Sequence, residues 1–400
     1  MAARTNKLTL TEFMSYSRTF WAGFGIFLLC LTIYGLFTGL LSLLNKGVVP
    51  CEEHQPSYAF ANGEPTKING AAFPTINTDP QPTSYTLAMK LNTQDDKPVW
   101  PRFGQTFLNA DLSMGIANVY KLQPLHQTFN ADQAARDIAR RLDFSPIPQI
   151  LDARTVSFSK SNPPLEETLN IDLKTMFVTL KTNALTTTNY FGTLSPNGIR
   201  LVPDRVDALQ AVTAYLEKAG ILPEEDFSQS SALVEYYRSV GGNLELVESE
   251  READYAMVPL SHQPLAGTVN RYPIPGQCQE ENTQYRFFGP DNFPSIKALV
   301  GRNRQGEDVV VGLENYYYQI DYSDVATYPL RSVAEAWQSL QNGQAYVINP
   351  RQVEKAVIKQ VELGYYESHQ EQNYLVPIYI FSGENGVVAY TQALHPRVLE

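Results

Sequence analysis

The apolar and polar positions of the chain separate one long uncharged run from a longer region of short, alternating patterns. Residues 20–44 contain no charged side chain. As an α-helix, about 25 residues extend about 37 Å, which exceeds the roughly 30 Å hydrocarbon core of a bilayer. The pattern therefore predicts a membrane-spanning helix over residues 19–45, with the lipid bilayer as its partner.

A cleaved signal peptide is the alternative interpretation of this run. Such a peptide has an apolar region of about 7 to 15 residues followed by a small-x-small cleavage site, and neither feature is present here. Three basic residues precede the run, whereas Lys46 alone follows it closely. By the positive-inside rule, residues 1–18 are predicted to be a cytoplasmic tail and residues 19–45 an uncleaved, single-pass signal anchor in the cell membrane. The remainder is predicted to be extracytoplasmic.

A pair of glycines and a pair of cysteines suggest two further contacts, a helix-packing face and a disulfide. Gly35 and Gly39 have the small-xxx-small spacing by which membrane helices pack, so a homo-oligomer is one open alternative. Cys51 and Cys278 are the cysteines that follow the apolar run. An oxidising compartment would allow them to form a disulfide, and their wide separation leaves the unpaired alternative open.

The patterning changes twice after the predicted anchor. Residues 46–83 are rich in proline, with glycine, asparagine and threonine between the prolines, which predicts a tether rather than a regular element. From Tyr85 to Leu91 apolar residues alternate with smaller or polar ones, as in a half-buried strand. The folded region is therefore predicted to begin at residue 84.

Three helices are predicted in the exterior region, each preceded by a residue that can cap it. Asn130, Asp204 and Ser332 precede apolar stripes with helical spacing, and Glu335 completes a capping box with Ser332. Strand-like segments follow these helices: Thr155–Lys160, Leu169–Thr182, Leu244–Val247, Tyr255–Leu260, Tyr285–Phe288, Asp308–Asp321, Ala345–Ile348, Val353–Leu363, Tyr374–Phe381 and Val387–Leu394.

The recurring order of a helix followed by strands predicts an α+β fold class, since βαβ alternation with glycine-rich phosphate loops is absent. The exterior region is divided into three units, residues 84–200, 201–330 and 331–400. The predicted architecture is an N-terminal transmembrane helix followed by an extracytoplasmic region of helix-plus-antiparallel-sheet units.

Composition and charge narrow the classes of partner. The formal net charge is −11 at pH 7. Residues 1–18 hold three basic side chains and one acidic one and so carry +2, which leaves −13 for the rest of the chain. An acidic surface excludes extended phosphate binding, and hence a nucleic-acid partner. With 43% hydrophobic residues, long disorder is excluded as well.

The sequence contains no motif of a catalytic, metal-binding or nucleotide-binding site. The five histidines never reach the spacing of a metal site, and Ser157–Lys160 matches Ser-x-x-Lys within a predicted strand rather than at a helix start. No cofactor, metal ion or catalytic residue is therefore predicted. Acidic groups at 224–226, 248–254 and 321–324 could supply general acids or calcium ligands if the fold brought them together.

Tyrosines in the C-terminal half form a candidate recognition surface. Alternate residues of a strand face opposite sides, so Tyr316 and Tyr318 are expected on one face and Tyr317 on the other. Ordinary sheet packing and a peptide or glycan platform are both open interpretations. The candidate surface consists of Tyr316, Tyr318, Tyr322, Tyr365 and Tyr366.

Three segments of the C-terminal half resemble a known architecture. They are the Glu-Ala-Trp helix within 326–343, the Gly-Tyr-Tyr strand end at 364–366 and the Tyr-x-x-Pro-x-Tyr strand at 374–379. Together they resemble uncharacterised bacterial single-span membrane-anchored exterior proteins and, more distantly, PepSY-like domains and single-span regulators of cell-wall sensor kinases. The resemblance is best over residues 203–394. It implies a PepSY-like, non-catalytic exterior module that acts through protein contacts.

The sequence therefore predicts a membrane-anchored extracytoplasmic binding or regulatory module with an envelope protein as its partner. Two alternatives stay open. One is an envelope enzyme that acts on peptide or glycan through carboxylates assembled by the fold. The other is a structural surface or assembly component.

Overall fold

The strongest local signals, the helix starts, are where the sequence places them. In a computed structural model, three α-helices occur among the described residues: α1 Ala131–Arg141, α2 Arg205–Ala219 and α3 Val333–Gln341. Asp204 accepts hydrogen bonds from two backbone N–H groups of α2 at 2.8 Å, and Ser332 forms the predicted capping box at α3. Asn130 precedes α1 as expected but makes no side-chain capping hydrogen bond.

The structure describes the chain from residue 88 to residue 399 with gaps. The described residues are 88–94, 97–99, 102–103, 106–107, 116–125, 130–162, 165–187, 193–194, 200–225, 227, 230, 233–274, 277–290, 295–348, 353 and 355–399. The elements discussed below belong to one unit, residues 53–271 and 280–400, except that the adjoining ends of the strands at 265–274 and 277–285 fall in residues 272–279, which are assigned to a second unit.

Most elements are strands, numbered here in chain order. They are β1 Ala88–Gln94, β2 Lys97–Val99, β3 Arg102–Phe103, β4 Thr106–Phe107, β5 Ile116–Pro124, β6 Gln149–Ile150, β7 Thr155–Asn162, β8 Leu165–Asp172, β9 Val178–Thr182, β10 Thr193–Leu194, β11 Arg200–Leu201, β12 Glu235–Val240, β13 Asn243–Val247, β14 Tyr255–Leu260, β15 Leu265–Ile274, β16 Gln277–Tyr285, β17 Phe287–Phe288, β18 Ile296–Arg302, β19 Asp308–Asn315, β20 Tyr318–Pro329, β21 Tyr346–Ile348, β22 Lys355–Tyr366, β23 Tyr374–Gly383 and β24 Val388–Gln392.

Nine strands form an antiparallel sheet in the order β13-β12-β14-β18-β19-β9-β8-β7-β6. Helices α1 and α2 pack on one face of it, because Ile138 and Leu216 belong to the same buried cluster as strand residues such as Leu169 and Val300. The amphipathic stripes of both helices are thereby removed from water, which is the main contribution of tertiary packing to helix stability.

A second sheet of eleven strands is built around β22. β22 pairs in parallel with β1, β3 and β17 and antiparallel with β23. β5 joins both β20 and β23. Helix α3 covers this sheet through Trp337, whose ring lies 5.7 Å from that of Phe381. Two further pairs, β10–β11 and β15–β16, form separate two-stranded sheets.

The chain crosses from one large sheet to the other at Tyr316 and Tyr317. β19 ends at Asn315 in the nine-stranded sheet, and β20 begins at Tyr318 in the eleven-stranded sheet. Tyr317 belongs to the buried cluster of the first sheet and Tyr318 to that of the second. The single strand predicted over Asp308–Asp321 is therefore wrong, since two strands in different sheets occupy it.

The predicted α+β fold class is also wrong, because the described fold is mostly β-sheet with three helices. The physical reason is long-range pairing. β9, from the predicted unit 84–200, pairs with β19, from unit 201–330, and β5 pairs with β23, from unit 331–400. Strands of all three predicted units thus share sheets, and local periodicity contains no information about such pairing.

The structure does not support the transmembrane part of the predicted fold class. No helix within the described residues is long and apolar enough to cross a bilayer. Residues 19–45, predicted to form the single-pass signal anchor, lie outside the described part, as do the tail 1–18 and the tether 46–83. The predicted location at the cell membrane is unconfirmed.

Candidate functional site

An ionic cluster lies between the two large sheets, centred on the ring of His262. Its Nδ1 lies 2.6 Å from Oε1 of Glu225, and its Nε2 lies 2.8 Å from Oε1 of Glu367. Glu225 follows α2, His262 follows β14 and Glu367 follows β22. The fold therefore brings together three residues that are far apart in the sequence.

Neighbouring groups hold each carboxylate in place. The Tyr317 hydroxyl donates to Oε1 of Glu225 at 2.7 Å, and the backbone N–H of Gln263 donates to its other oxygen at 3.3 Å. The Ser295 hydroxyl donates to Oε2 of Glu367 at 2.5 Å. Both carboxylates thus have partners besides the histidine, as buried charged groups require.

Aromatic rings enclose the imidazole. The ring of Tyr317 lies 4.3 Å from that of His262, and the ring of Phe287 lies 4.9 Å away. The side chain of His262 is only 1% exposed, compared with 21% for Glu225 and 11% for Glu367. Because Tyr317 belongs to the core of one sheet and Phe287 packs on the core of the other, the cluster connects the two cores.

The electrostatics favour a charged imidazolium. Burial alone would lower the pKa of His262, but the charge of Glu367 beside Nε2 and the hydrogen bond with Glu225 outweigh burial, and the pKa is raised to about 10. Burial opposes ionisation of Glu225, but the hydrogen bond and charge of His262 leave its pKa lowered. At neutral pH we therefore expect a protonated His262 ring beside the ionised carboxylate of Glu225.

A bulge places Tyr322 near the open side of this cluster. The pairing of β20 with β5 shifts register between Asp321 and Val325, and Tyr322 within the shift is 59% exposed. The pKa of Tyr322 is raised by burial of its hydroxyl and by the nearby Glu225 and Glu367. Bulges commonly redirect side chains next to functional sites. The cluster is thus partly open to solvent at Glu225 and closed at Glu367 and at the imidazole.

The arrangement is suited to holding a charge rather than to producing a nucleophile. A histidine that activates a nucleophilic side chain needs one ring nitrogen facing a hydroxyl or thiol, whereas both nitrogens of His262 face carboxylates. Ser295 donates to Glu367 and not to the ring. Over the described residues, no group of three or more His, Cys, Asp or Glu side chains could hold a metal ion.

The candidate tyrosine surface is not formed as predicted. Tyr318, Tyr365 and Tyr366 are 5%, 2% and 1% exposed and belong to the core of the eleven-stranded sheet. Tyr316 is half-buried, with its ring stacked 4.2 Å from His369. Tyr322 alone of the five is exposed. Strand alternation failed here because Tyr316 and Tyr317 lie outside strands, at the crossing between sheets.

Other predicted residues fall partly outside the described chain. Cys51, Gly35 and Gly39 lie outside it, so the disulfide of Cys51 with Cys278 and the glycine packing face stay predictions. Cys278 lies in β16. The Ser-x-x-Lys match lies in strand β7 as predicted, not at a helix start.

The acidic groups singled out in the sequence have separate surroundings. Asp321 accepts hydrogen bonds from Ser323 and Gln123, and Asp324 lies 3.4 Å from the ammonium of Lys121. Of the described members of these groups, only Glu225 enters the cluster. Sequence reasoning missed His262 and Glu367, because their only signal is long-range proximity.

Two exposed apolar surfaces lie at opposite ends of the nine-stranded sheet. The first, here called the β6 edge, consists of Ile147, Ile150 and Leu151, which are 77%, 78% and 58% exposed. The second, here called the β13 edge, is strand β13 with Leu246, which is 64% exposed. Exposed large aliphatic side chains grouped as at the β6 edge mark interaction sites more often than a single one such as Leu246 does.

Comparisons with known proteins add little. No protein-family model and no curated protein matches the chain. Among solved structures, the chain is similar to an uncharacterized protein from Eubacterium rectale ATCC 33656, with 11% sequence identity over 70% of this chain and 79% of that chain and a TM-score of 0.26. A likeness this weak supports no inference about fold or function, and the resemblance to PepSY-like domains stays a prediction.

Proposed function

We propose that the chain is a non-catalytic binding module that acts through contacts with another protein. The observation that carries this proposal is the β6 edge, where three large aliphatic side chains within five residues are 58–78% exposed. Fully burying such a side chain contributes about 1.5–3 kcal/mol each. A partner that covers the β6 edge would gain the larger part of this contribution from each of the three.

The β6 edge is held in a defined conformation. The backbone N–H of Leu151 donates to the carbonyl of Thr155 at 3.1 Å. The side chain of Asp152 accepts from the N–H groups of Arg154 and Thr155 at 2.7 Å, and Arg136 donates to the carbonyl of Pro146. An ordered surface loses less conformational entropy when it binds. The resemblance of the C-terminal segments to regulatory exterior modules also supports a role in protein contacts.

The proposal is tested by site-specific photo-crosslinking in cells that express the full chain. A photoreactive residue at Gln149 should give a defined adduct that the I147S/I150S variant loses, whereas the same probe at Glu217 on α2 should give none. V206S serves as the matched control, because Val206 is 55% exposed on α2 and its substitution should leave the adduct unchanged. No adduct at Gln149, or one that survives in I147S/I150S, would contradict the proposal.

The cluster gives one specific observation in favour of a second candidate function. Glu225 and Glu367 converge from distant parts of the chain, which is how carboxylates of a peptide- or glycan-hydrolysing enzyme would be assembled. Their existing bonds to His262, Tyr317 and Ser295 make this candidate weaker. Product release from peptide or oligosaccharide panels that the E225Q/E367Q variant abolishes would favour the enzyme, and equal inactivity of both proteins would favour the binding module.

A further inference from the structure

We infer that the β13 edge binds an extended, basic segment of a partner protein as an added strand. The inference rests on the proposed function in that both assign protein contacts to the chain, but it concerns the opposite end of the sheet. β13 is the terminal strand of the nine-stranded sheet, and no described strand pairs with its outer side. Such an edge presents backbone donors and acceptors that an extended peptide can complete.

The turn before β13 determines which backbone groups face outward. Gly241 and Gly242 have φ of 61° and 86°, as a two-residue type I′ hairpin turn requires. Val240 pairs with Asn243 across this turn, and the turn's hydrogen bond joins them. Opposite residues then alternate between bonded and non-bonded pairs, so the N–H and C=O groups of Leu244 and Leu246 point away from β12.

The side chains of the same two residues differ in what they offer a partner. Leu246 lies opposite Tyr237 and is 64% exposed, whereas Leu244 is half-buried and packs on the small cluster that contains Tyr255. An added strand would therefore gain hydrogen bonds from both residues and apolar contact mainly from Leu246. Specificity in strand addition comes from such alternate side chains.

Charge selects the kind of partner. Over residues 235–252 the exposed side chains include five carboxylates and two guanidinium groups: Glu235, Glu245, Glu248, Glu250 and Glu252, with Arg238 and Arg251. One guanidinium, that of Arg238, already lies 3.4 Å from Glu245. Basic residues in the incoming strand would be attracted and acidic ones repelled.

The same charges argue against a second copy of this chain as the occupant. Pairing two β13 edges would bring Glu245 and Glu248 of each copy near those of the other, and like charges across a strand pair are destabilising. The opposite end of the sheet is a poorer site for strand addition. β6 has two residues, and Pro148 before it has no N–H to donate.

The direct test uses a fluorescent peptide of alternating lysine and valine as the probe, with an alternating glutamate and valine peptide as its control. The lysine peptide should bind the full chain at least tenfold more tightly than the glutamate peptide, and added salt should weaken it. Hydrogen exchange should show new protection of the Leu244 and Leu246 amides, while the Glu245 amide, bonded to β12, changes little. Equal binding of both peptides, or protection elsewhere only, would overturn the inference.

Two variants test the separate parts of the argument. L246P removes an outward N–H without removing a hydrogen bond to β12, and it should weaken the lysine peptide at least tenfold. E245K/E248K changes only exposed side chains, so it should fold, lose the lysine peptide and gain the glutamate peptide. If this variant kept its preference for the lysine peptide, or if sedimentation showed that wild-type chains pair through β13, the inference would be wrong.

The β6 variant separates this inference from the proposed function. I147S/I150S should bind the lysine peptide as the wild type does, since Ile147 and Ile150 lie at the other end of the sheet. Loss of the Gln149 adduct in cells together with intact peptide binding would support both proposals. Absence of that adduct in the wild type with intact peptide binding would contradict the β6 contact alone.

Discussion

His262 is the residue on which the link between the two cores depends most. Replacing it with glutamine leaves Glu225 and Glu367 without a cation, and breaking a buried ion pair on one side costs about 3–5 kcal/mol. We expect H262Q to lower the free energy of unfolding by about that amount in urea titrations at pH 6. H395Q is the control, because the His395 side chain lies outside the cluster and accepts a turn hydrogen bond from the backbone N–H of Arg397. A loss below about 1 kcal/mol would contradict the role of the cluster.

The effect of H262Q should also depend on pH. The folded pKa of His262 is raised to about 10 from 6.5, so its contribution is complete below pH 6.5 and is lost as the pH rises through 10. The pKa of Glu225 is lowered from 4.5, so its contribution is present above pH 4.5 and is lost in acid. The difference between wild type and H262Q should therefore be largest between pH 4.5 and 6.5 and small by pH 10. A difference independent of pH would show that the ring is neutral.

Two arginines should respond in opposite directions to the same substitution. Arg302 makes two hydrogen bonds to Asp308 and one to Asp207, so R302M should lower the free energy of unfolding by about 2–3 kcal/mol. Arg331 is 8% exposed; its Nη1 donates to the Ser339 hydroxyl at 2.7 Å, but no carboxylate pairs with it in the ion pairs of the described residues and its Nε has no hydrogen-bond partner there. Burial lowers its pKa, and R331M should raise the free energy of unfolding by about 1 kcal/mol. Thermal unfolding of both variants gives the comparison, and destabilisation by R331M would contradict it.

For single residues of the site, the sequence allows predictions only from neighbours along the chain. Glu225 could be singled out because adjacent carboxylates are visible in the sequence. His262 and Glu367 could not, since the spacing rules for histidine sites apply within one element. The aromatic alternation that favoured Tyr316 and Tyr318 holds only while a strand continues, and here one strand ends at Asn315 and the next begins at Tyr318.

At the scale of elements, two of the helix starts offer a matched comparison of capping, Ser332 with a capping hydrogen bond and Asn130 without one. S332A removes a side-chain hydrogen bond to the backbone N–H of Glu335 and should destabilise the protein by about 1 kcal/mol. N130A should destabilise the protein by only a few tenths of a kcal/mol, because the Asn130 side chain makes no capping hydrogen bond. Equal effects in thermal unfolding would contradict this reading of the caps.

Helices could be predicted from the sequence more reliably than strands for a physical reason. Caps and stripes act within one or two turns, so all three helices begin where their caps indicate. Strand limits depend on partners, and Asp308–Asp321 reads as one strand although its ends belong to different sheets.

The position of Pro377 also depends on the partner strands. It lies in β23 between β22 and β24, but its carbonyl accepts from Ala393, just beyond the last pair of β23 with β24. Its missing donor is therefore at the end of the ladder.

The whole molecule should fold only when the strands of the predicted units are present together. A fragment of residues 201–330 retains β12–β14, β18 and β19 but lacks β9, which pairs with β19, and the strands beyond it. It also lacks the core residues of α1. We expect no cooperative thermal transition for this fragment and one for the full chain, as followed by near-ultraviolet circular dichroism. Cooperative unfolding of the fragment would show that unit 201–330 is independent.

The order of strands in the sheets could not be predicted from this sequence, because the paired strands are far apart along the chain. The pairing of β5 with β20 joins Asn118 to Thr327, and no local pattern indicates such a partner. The resemblance in the C-terminal half concerns segments that do form a helix and strands, but their sheet is completed by β1, β3 and β5 from the N-terminal half.

The pairing of β5 with β20 affects the chain while it is being synthesised. About 200 residues separate β5 from β20, and at roughly 5–20 residues per second a ribosome needs about 10–40 s to make them. During this interval Val119 and Leu122, later buried, have no sheet to join, and both edges of β5 stay open. Ribosome-bound chains ending at residue 300 should be cleaved by protease within residues 116–124, whereas the finished chain should resist. β5 is therefore exposed to aggregation before the protein leaves the ribosome, and a holding chaperone should bind it during this interval.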